Sequence, residues 1–400
     1  MHALESITKK FEYSDGGKEL LLIALKTGFL TLITLGIYRF WAKTKIRSYI
    51  WASASLDGDA FEYHGTGLEK FLGFLLAIVI LALYLGAIQA VLIFLGLNMF
   101  TEPKTQAQFF AQMGALYINI LAVFPMIAFA TYRARRYRML RTSWRGIRCG
   151  MEDGAWGYVW RSMMYNLLSI LSLGLLLPLA KFRLEKYMAD RSYFGDTAVT
   201  QGGDWKALYA YMKPFIYCTV IVVLAIFLPF NGVLKFALFL IAFIGIMIAL
   251  VNFQVQSFGY LLRHKKIGPD VEFFSTPSTG SVIKIVLVGG LLIALVSIVI
   301  TVIFSALALG PEFLALAGGD FDTDGLGVLS FLIYVFGYFA LLLILGALNL
   351  VWITQRVLAH YVTSTGLTNF AALDKIRQSE KSQLRDAEGF ADALDVGGAI

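Results

Sequence analysis

The sequence FEYSDGGKE at residues 11–19 returns fifty residues later as FEYHGTGLE at residues 61–69. A second repeat, at an offset of 138 residues, relates TLGIYRFWAK at 34–43 to SLGLLLPLAK at 172–181. The first repeat joins an aromatic and acidic stretch to glycine, and the second joins a glycine turn to a basic helix. The repeats indicate which apolar segments of the chain are equivalent, and they therefore constrain its fold.

The composition is that of a membrane protein. Of the 400 residues, 58% are hydrophobic and 15% are charged, and the mean hydropathy is +0.70. Soluble proteins carry about 25% charged residues. Several apolar runs also reach the length of about 20 residues that a helix needs to cross a bilayer. We expect insertion through internal helices, without a cleavable signal.

The distribution of basic residues decides which apolar segments cross. The apolar segments are 20–38, 70–97, 108–131, 158–180, 214–230, 233–258, 281–309 and 327–352. If all of them cross, the connecting segments carry 17 Lys and Arg on one face and 12 on the other. If 20–38 and 158–180 instead enter and leave by one face, the cytoplasmic segments carry 28 and the outer loops carry one, Lys104. The positive-inside rule favours this six-span topology, with both termini cytoplasmic.

The two non-crossing segments, 20–38 and 158–180, are copies of each other at the 138-residue offset. Lys26 and Arg161 lie within them, and a basic group is costly at the centre of a bilayer. We interpret both as shallow re-entrant or interfacial helical hairpins, and an ordinary pair of spans remains the alternative.

The predicted fold is an all-α polytopic membrane protein with an internal repeat. It has six transmembrane helices in three hairpins, two re-entrant helical hairpins, and short cytoplasmic β-strands between the units. The predicted units are 1–146, 147–270 and 271–365, followed by a cytoplasmic tail at 366–400. The strands would form a small sheet or set of hairpins at or below the membrane surface, because exposed backbone cannot lie in lipid. They are predicted at residues 11–13, 59–63, 147–151, 196–200, 271–275 and 368–370.

The run TLITLGIYRFWAK at 31–43, followed by LDGDAFEYHGTG at 56–67, resembles the YjgN-type family of bacterial inner-membrane proteins. The match is specific in this first unit, and the order of the later segments is compatible with it. The resemblance implies a location in the bacterial inner membrane. It implies no activity, because that family has no assigned biochemical function, and no catalytic residue carries over.

Uncharged polar residues cluster near the inner ends of two predicted spans. A functional interpretation makes them line a polar vestibule, and the alternative is hydrogen bonding between helices, typically worth about 1 kcal/mol. The residues are Asn252, Gln254, Gln256, Asn349, Thr354 and Gln355. By the same reasoning, Gln89 and Asn119 are expected to hydrogen-bond across the first hairpin.

Basic residues interleave with aromatic ones in the segments that follow two predicted membrane segments. Because these stretches adjoin the bilayer, we expect them to contact anionic phospholipid headgroups rather than nucleic acid. The predicted headgroup contacts are Arg39, Lys43, Lys45, Arg47, Arg135, Arg136 and Arg138.

Enzyme signatures and complete metal motifs are missing from the sequence, so we predict a non-enzymatic protein without a cofactor. Paired acidic or His groups that meet at the inner face, such as His64 with Asp57 or Asp59, would instead favour an intramembrane enzyme. Asp320, Asp322 and Asp324 copy half of a calcium-binding loop, which is either a weak divalent-cation site or a solvated acidic turn.

Two function classes stay open. One is a transporter or channel for an unknown small solute, since internal repeats and broken helices often build such sites. The other is a lipid-interacting or membrane-organising protein that grips the inner leaflet through basic interfacial helices. A homo-oligomer is compatible with either.

Overall fold

A computed structural model describes residues 8–97, 102–229, 231–316 and 323–379. Most of this part of the chain is helical, as the composition predicts. The helices are α1 (Gly17–Ile33), α2 (Arg39–Ser53), α3 (Gly67–Phe94), α4 (Gln106–Leu140), α5 (Ala155–Leu171), α6 (Leu177–Ala189), α7 (Tyr209–Phe227), α8 (Gly232–Arg263), α9 (Thr279–Leu316), α10 (Thr323–Asn349) and α11 (Arg356–Thr363). A π-helical segment, Leu350–Gln355, joins α10 to α11.

Within the described ranges, six helical segments are long and apolar enough to cross a membrane. They are Gly67–Phe94, Gln106–Leu140, Trp205–Phe227, Gly232–Arg263, Thr279–Leu307 and Ser330–Thr363. Each contains or overlaps one of the predicted spans, so the prediction of a polytopic membrane protein is confirmed. Gln89 Nε2 donates to Asn119 Oδ1 at 3.0 Å between α3 and α4, which confirms the hydrogen bond expected across the first hairpin.

The two segments predicted not to cross form shorter helical pairs, α1 with α2 and α5 with α6. Helices α1 and α5 each have 17 residues, which corresponds to about 25 Å of helix against a hydrocarbon core of about 30 Å. Both pairs turn through a left-handed Leu-Gly step, at Leu35 (φ 50°) and at Leu173 (φ 53°). The two turns make matching backbone hydrogen bonds, such as Gly36 N–H to Thr31 O and Gly174 N–H to Ser169 O.

The short strands close into a barrel, which the sequence did not predict. In the part of the chain that the structure describes, the barrel has ten strands, all paired antiparallel. They are β1 (Lys9–Tyr13), β2 (Ala54–Leu56), β3 (Asp59–Tyr63), β4 (Thr142–Trp144), β5 (Ile147–Met151), β6 (Ser192–Phe194), β7 (Thr197–Gln201), β8 (Lys265–Ile267), β9 (Val271–Ser275) and β10 (Thr365–Thr368). Strand β1 closes the barrel by pairing with β10 on one side, Lys9 opposite Leu367, and with β2 on the other, Phe11 opposite Leu56.

The barrel extends the repeat from two copies to every β-hairpin. A strand begins eight residues before the following helical segment at Lys9, Asp59, Ile147, Thr197 and Val271. Each hairpin thus links one pair of helices to the next, and β10 with β1 makes the last link through the two ends of the described chain. Two hairpins turn through adjacent residues with positive φ, Asp57-Gly58 and Arg145-Gly146, a geometry whose twist matches that of paired strands.

Apolar side chains fill the barrel in a repeated layer. The residue just before each of the four hairpin turns is buried in this layer, namely Leu56, Trp144, Phe194 and Ile267, and Leu367 of β10 joins them. A 3-10 helix, Phe370–Lys375, folds back against this layer and places Phe370, Leu373 and Ile376 in the same core. We refer to residues 370–376 as the plug.

The structure differs from two sequence predictions in the region before the plug. The strand predicted at 368–370 lies at Thr365–Thr368, and the predicted tail from 366 onward begins inside that strand. Asp196 N–H donates to Arg377 O at 2.9 Å, which holds the chain after the plug against the β6–β7 turn. The sequence also did not predict the first strand of each hairpin, because each has only three residues and begins within three residues of a helix end.

Substituting Gly195 tests the seating of the plug. Gly195 has φ +57°, and a Cβ there would lie 2.3 Å from Arg377 O, whereas at Gly146 (φ +73°) a Cβ would meet nothing within 4 Å. Gly195→Ala is therefore expected to displace the plug and expose residues 370–379 to protease. Gly146→Ala should cost only about 1–2 kcal/mol, because alanine adopts a left-handed backbone there. Residues 370–379 should stay protected from protease in this variant. Equal proteolysis rates for the two variants would contradict this seating.

Candidate functional site

A cavity of about 430 Å³ lies where the helices meet the barrel, and we call it the mouth cavity. Helices α2, α4 and α11 surround it. Its lining is apolar apart from Thr142 and two arginines, Arg135 and Arg138, and it consists of Ile50, Trp51, Ala54, Phe61, Arg135, Arg138, Met139, Thr142, Leu358 and Val362.

A second cavity, of about 220 Å³, lies inside the barrel, and we call it the lumen cavity. Phe61 and Met139 line both cavities, so the two adjoin. Leu373 of the plug also lines the lumen cavity. The Cys149 thiol also lines the lumen cavity, and burial raises its pKa to about 12, so that it is a neutral thiol.

Two cations share one carboxylate beside the mouth cavity. Arg135 donates to both oxygens of Glu185, at 2.7 and 3.0 Å, and Lys265 Nζ lies 2.5 Å from Glu185 Oε1. The three side chains are only 25%, 20% and 15% exposed in the order Arg135, Glu185, Lys265. Burial alone would raise the pKa of Glu185, but Arg135 and Lys265 lower it below its usual range. The carboxylate is ionised. Burial also lowers the pKa of Lys265, and the attraction of Glu185 opposes this shift. With both cations charged, the cluster carries one net positive charge.

Lys181 adds a further cation near Glu185. Its Nζ donates to Ser257 Oγ at 2.5 Å and lies 4.9 Å from the centre of the Phe253 ring. Burial lowers the pKa of Lys181 to about 8, and the attraction of Glu185 opposes this shift only in part. Helices α4 and α6 and strand β8 therefore bring basic side chains together, Arg135, Lys181 and Lys265.

The residues predicted to line a vestibule lie in two places, on α8 and where α10 joins the π-helical segment. Thr279 Oγ1 donates to Asn252 Oδ1 at 3.0 Å and lies 3.0 Å from Gln256 Nε2, so these two residues tie α8 to the start of α9. Gln355 is buried in the π-helical segment beside Gly17. Gln254 and Asn349 are exposed and Thr354 is half-buried.

Several predicted headgroup contacts have partners inside the protein. Arg47 is 2% exposed, and it donates to Tyr63 OH at 3.2 Å. Arg136 lies 2.7 Å from Asp153 and donates to Met151 O, and Arg135 binds Glu185. The remaining predicted contacts are Arg39 and Lys45, which are exposed, Lys43, which is half-buried, and Arg138, which lines the mouth cavity.

The other predicted groupings are separated or lie outside the structure. His64 contacts Ser143 Oγ at 2.7 Å, while Asp57 and Asp59 both bind Arg145. Asp320, Asp322 and the side chain of Asp324 fall outside the described part of the chain. The residues that the structure does describe contain no group of three His, Cys, Asp or Glu arranged to hold a metal ion.

Sequence reasoning missed the lumen cavity and the Glu185 cluster. The lumen depends on strands of three to five residues, which are weak signals one at a time. Glu185 lies on α6, whereas Arg135 comes from α4 and Lys265 from β8. Their proximity therefore follows from the pairing of the strands that connect these elements rather than from sequence spacing. One signal was present in the sequence: Glu185 is a lone acidic residue in the basic, apolar stretch 177–189.

Glu185→Gln tests the cluster. The variant leaves Arg135 and Lys265 buried without their carboxylate, so we expect the free energy of unfolding to fall by about 3–5 kcal/mol. Glu12→Gln, on the exposed face of β1, is the matched control and should stay within about 0.5 kcal/mol of the unmodified protein. Denaturant titration in lipid nanodiscs measures both. Equal stability of the two variants would show that Glu185 does not hold the cluster together.

Sequence comparisons relate this chain to a known family. A family model described as "Bacterial protein of unknown function (DUF898)" matches residues 8–393. The chain is 29% identical over 150 residues to a protein named inner membrane protein YjgN from Salmonella typhimurium strain LT2, a match covering 37% of this chain and 33% of that protein. It is 24% identical over 164 residues to the proteins of the same name from Escherichia coli O157:H7 and strain K12, covering 41% of this chain and 36% of each of them.

The matched region is about a third of the length of these curated relatives. No solved structure matches the chain significantly. The resemblance found at residues 31–43 and 56–67 is confirmed by the family match and by the named relatives.

Proposed function

The chain belongs to the bacterial protein family of unknown function DUF898, and we propose that it binds anionic lipids at the mouth of its barrel. The observation that carries this proposal is the mouth cavity, whose wall is apolar except at Arg135, Arg138 and Thr142. A lipid has the matching chemistry, since its acyl chains are apolar and its headgroup is charged. The role is one of binding rather than catalysis.

The charge around the mouth supports an anionic ligand over a neutral one. Arg135 and Lys265 share Glu185, so its carboxylate does not balance them. Arg138 adds a further cation at the cavity wall. A charge inside a partly dry site interacts more strongly than one in water, so a phosphate or carboxylate headgroup would be stabilised there.

The short helical pairs support contact with one leaflet. Leu35 and Leu173, at the tips of α1–α2 and α5–α6, are 94% and 93% exposed, which suits insertion into lipid. A groove of about 800 Å³ between the α1–α2 pair and α10 adds an apolar surface wide enough for acyl chains. In the topology we propose, these tips are re-entrant and the barrel faces the cytoplasm, on the side of the basic segments.

A small-solute transporter is the second candidate, and one feature favours it. A cavity of about 510 Å³ lies beside the π-helical segment, and its lining includes the charged residues Asp15, Lys18, Glu19 and Arg356. π-Helical turns occur frequently at functional sites. Gln355, predicted from the sequence as a vestibule residue, belongs to this same segment.

Native mass spectrometry of the protein released from its own membrane tests the lipid proposal. We expect bound anionic phospholipid, with retention reduced about fivefold in Arg138→Gln, because one cation near the surface contributes about 1 kcal/mol. Lys10→Gln removes the same charge from the exposed face of β1 and should leave retention unchanged. A reproducible polar solute in place of lipid would favour the transporter, and equal retention in both variants would refute the role of the mouth. The same spectra report whether the protein is a homo-oligomer.

Cysteine labelling tests the topology. Single cysteines are placed at Lys104, Ala198 and Leu173 after replacement of Cys149 and Cys218 by alanine. In intact cells, an impermeant maleimide should label Lys104→Cys alone, and Ala198→Cys should react only after lysis. Leu173→Cys should stay protected in both conditions, because its tip lies in lipid. Labelling of Leu173→Cys from outside would show instead that 158–180 crosses the membrane.

A further inference from the structure

We infer that the lumen cavity of the barrel receives the end of an acyl chain whose anionic headgroup binds at the mouth. The inference rests on the proposed function, and it names the ligand class and the second half of its site. The barrel therefore acts as an acyl-chain receptor attached to the membrane helices.

The barrel is wide enough for its lumen to hold a ligand. A barrel of about eight strands is just wide enough to be filled by its own side chains or to hold one small ligand. In the described chain this barrel has ten strands, and the inserted plug still leaves about 220 Å³ empty. The side chains of the barrel and the plug together therefore leave part of the interior empty.

The lumen adjoins the mouth cavity on the side of the membrane helices and contacts the plug. Phe61 and Met139 separate it from the mouth cavity of about 430 Å³, and together the two fall in the range of about 300–1,000 Å³ typical of small-molecule sites. Leu373 of the plug also lines the lumen. Arg145 holds the plug, since it lies over the Phe370 ring and binds Asp374 at 3.2 Å.

The lining of the lumen fits a hydrocarbon chain. Aromatic and branched aliphatic side chains dominate it, including Phe11, Val199, Phe273 and Leu367. Lipid tails are as apolar as such side chains, so a chain that moves from the bilayer into the lumen gives up little hydrophobic energy. It gains the dispersion contacts that the lining of an empty cavity lacks. Discrimination between lipids then falls to the headgroup at Arg138 and to the depth of the lumen.

Photo-cross-linking tests the inference directly. The 400-residue chain in nanodiscs is irradiated with phosphatidylglycerol that carries a diazirine at the far end of one acyl chain, and in parallel with a free fatty acid carrying the same group. We expect cross-links on lumen residues such as Phe273 and Leu367, mapped by peptide mass spectrometry. The phospholipid arm and the fatty-acid arm identify which kind of anionic lipid supplies the chain.

Two variants of one strand provide the control. Val199 lines the lumen, so Val199→Trp fills it and should reduce lumen cross-links about tenfold, as overfilling of a packed site does. Ala198 is exposed on the outside of the same strand, so Ala198→Trp should leave the cross-links unchanged. If Val199→Trp does not fold, the unmodified protein alone still decides whether lumen residues are labelled.

The possible failures are distinguishable. If headgroup retention depends on Arg138 but cross-links appear only on the membrane helices, the lumen inference is wrong and the proposed function stands. If neither arm labels the lumen and Arg138→Gln does not change lipid retention, both are wrong. Lumen labelling that Ala198→Trp abolishes as strongly as Val199→Trp would also overturn the inference, because the effect would not come from the lumen.

Discussion

The structure depends on the closure of a β-barrel by the two ends of the described chain. Strands of three to five residues cannot persist alone, and an open edge beside a membrane would leave backbone donors and acceptors without partners. Pairing of β1 with β10 removes that edge and fixes the order of the β-hairpins. Because each hairpin joins two helical pairs, the barrel also fixes which membrane helices are neighbours.

The barrel explains why charged residues occur where helices leave the membrane. The barrel brings α4, α6 and β8 together, so that Arg135, Glu185 and Lys265 meet although they lie far apart in the sequence. Paired in this way, they avoid the large cost of an isolated buried charge. The excess of cations that remains lies beside an apolar cavity, which is the combination that an anionic amphiphile requires.

The sequence predicted the membrane class, the long apolar helices and the equivalence of Leu35 with Leu173, because these features follow from composition, length and a local turn. It predicted most of the second strands, where aromatic residues alternate, as in Asp59–Tyr63. It did not predict the barrel, because strand pairing is non-local and the first strands merge with helix ends. The vestibule prediction grouped residues because their sequence surroundings are alike. Contacts such as that of Asn252 with Thr279 depend instead on how α8 meets α9.

The central claim is that a lipid occupies the mouth of the barrel. Electron cryomicroscopy of the protein in nanodiscs formed from its native membrane tests this claim most directly. We predict elongated density that runs from beside Arg138, between Ile50 and Leu358, toward Phe61 and the lumen. A mouth that contains only water, or that side chains fill in the native membrane, would contradict the account.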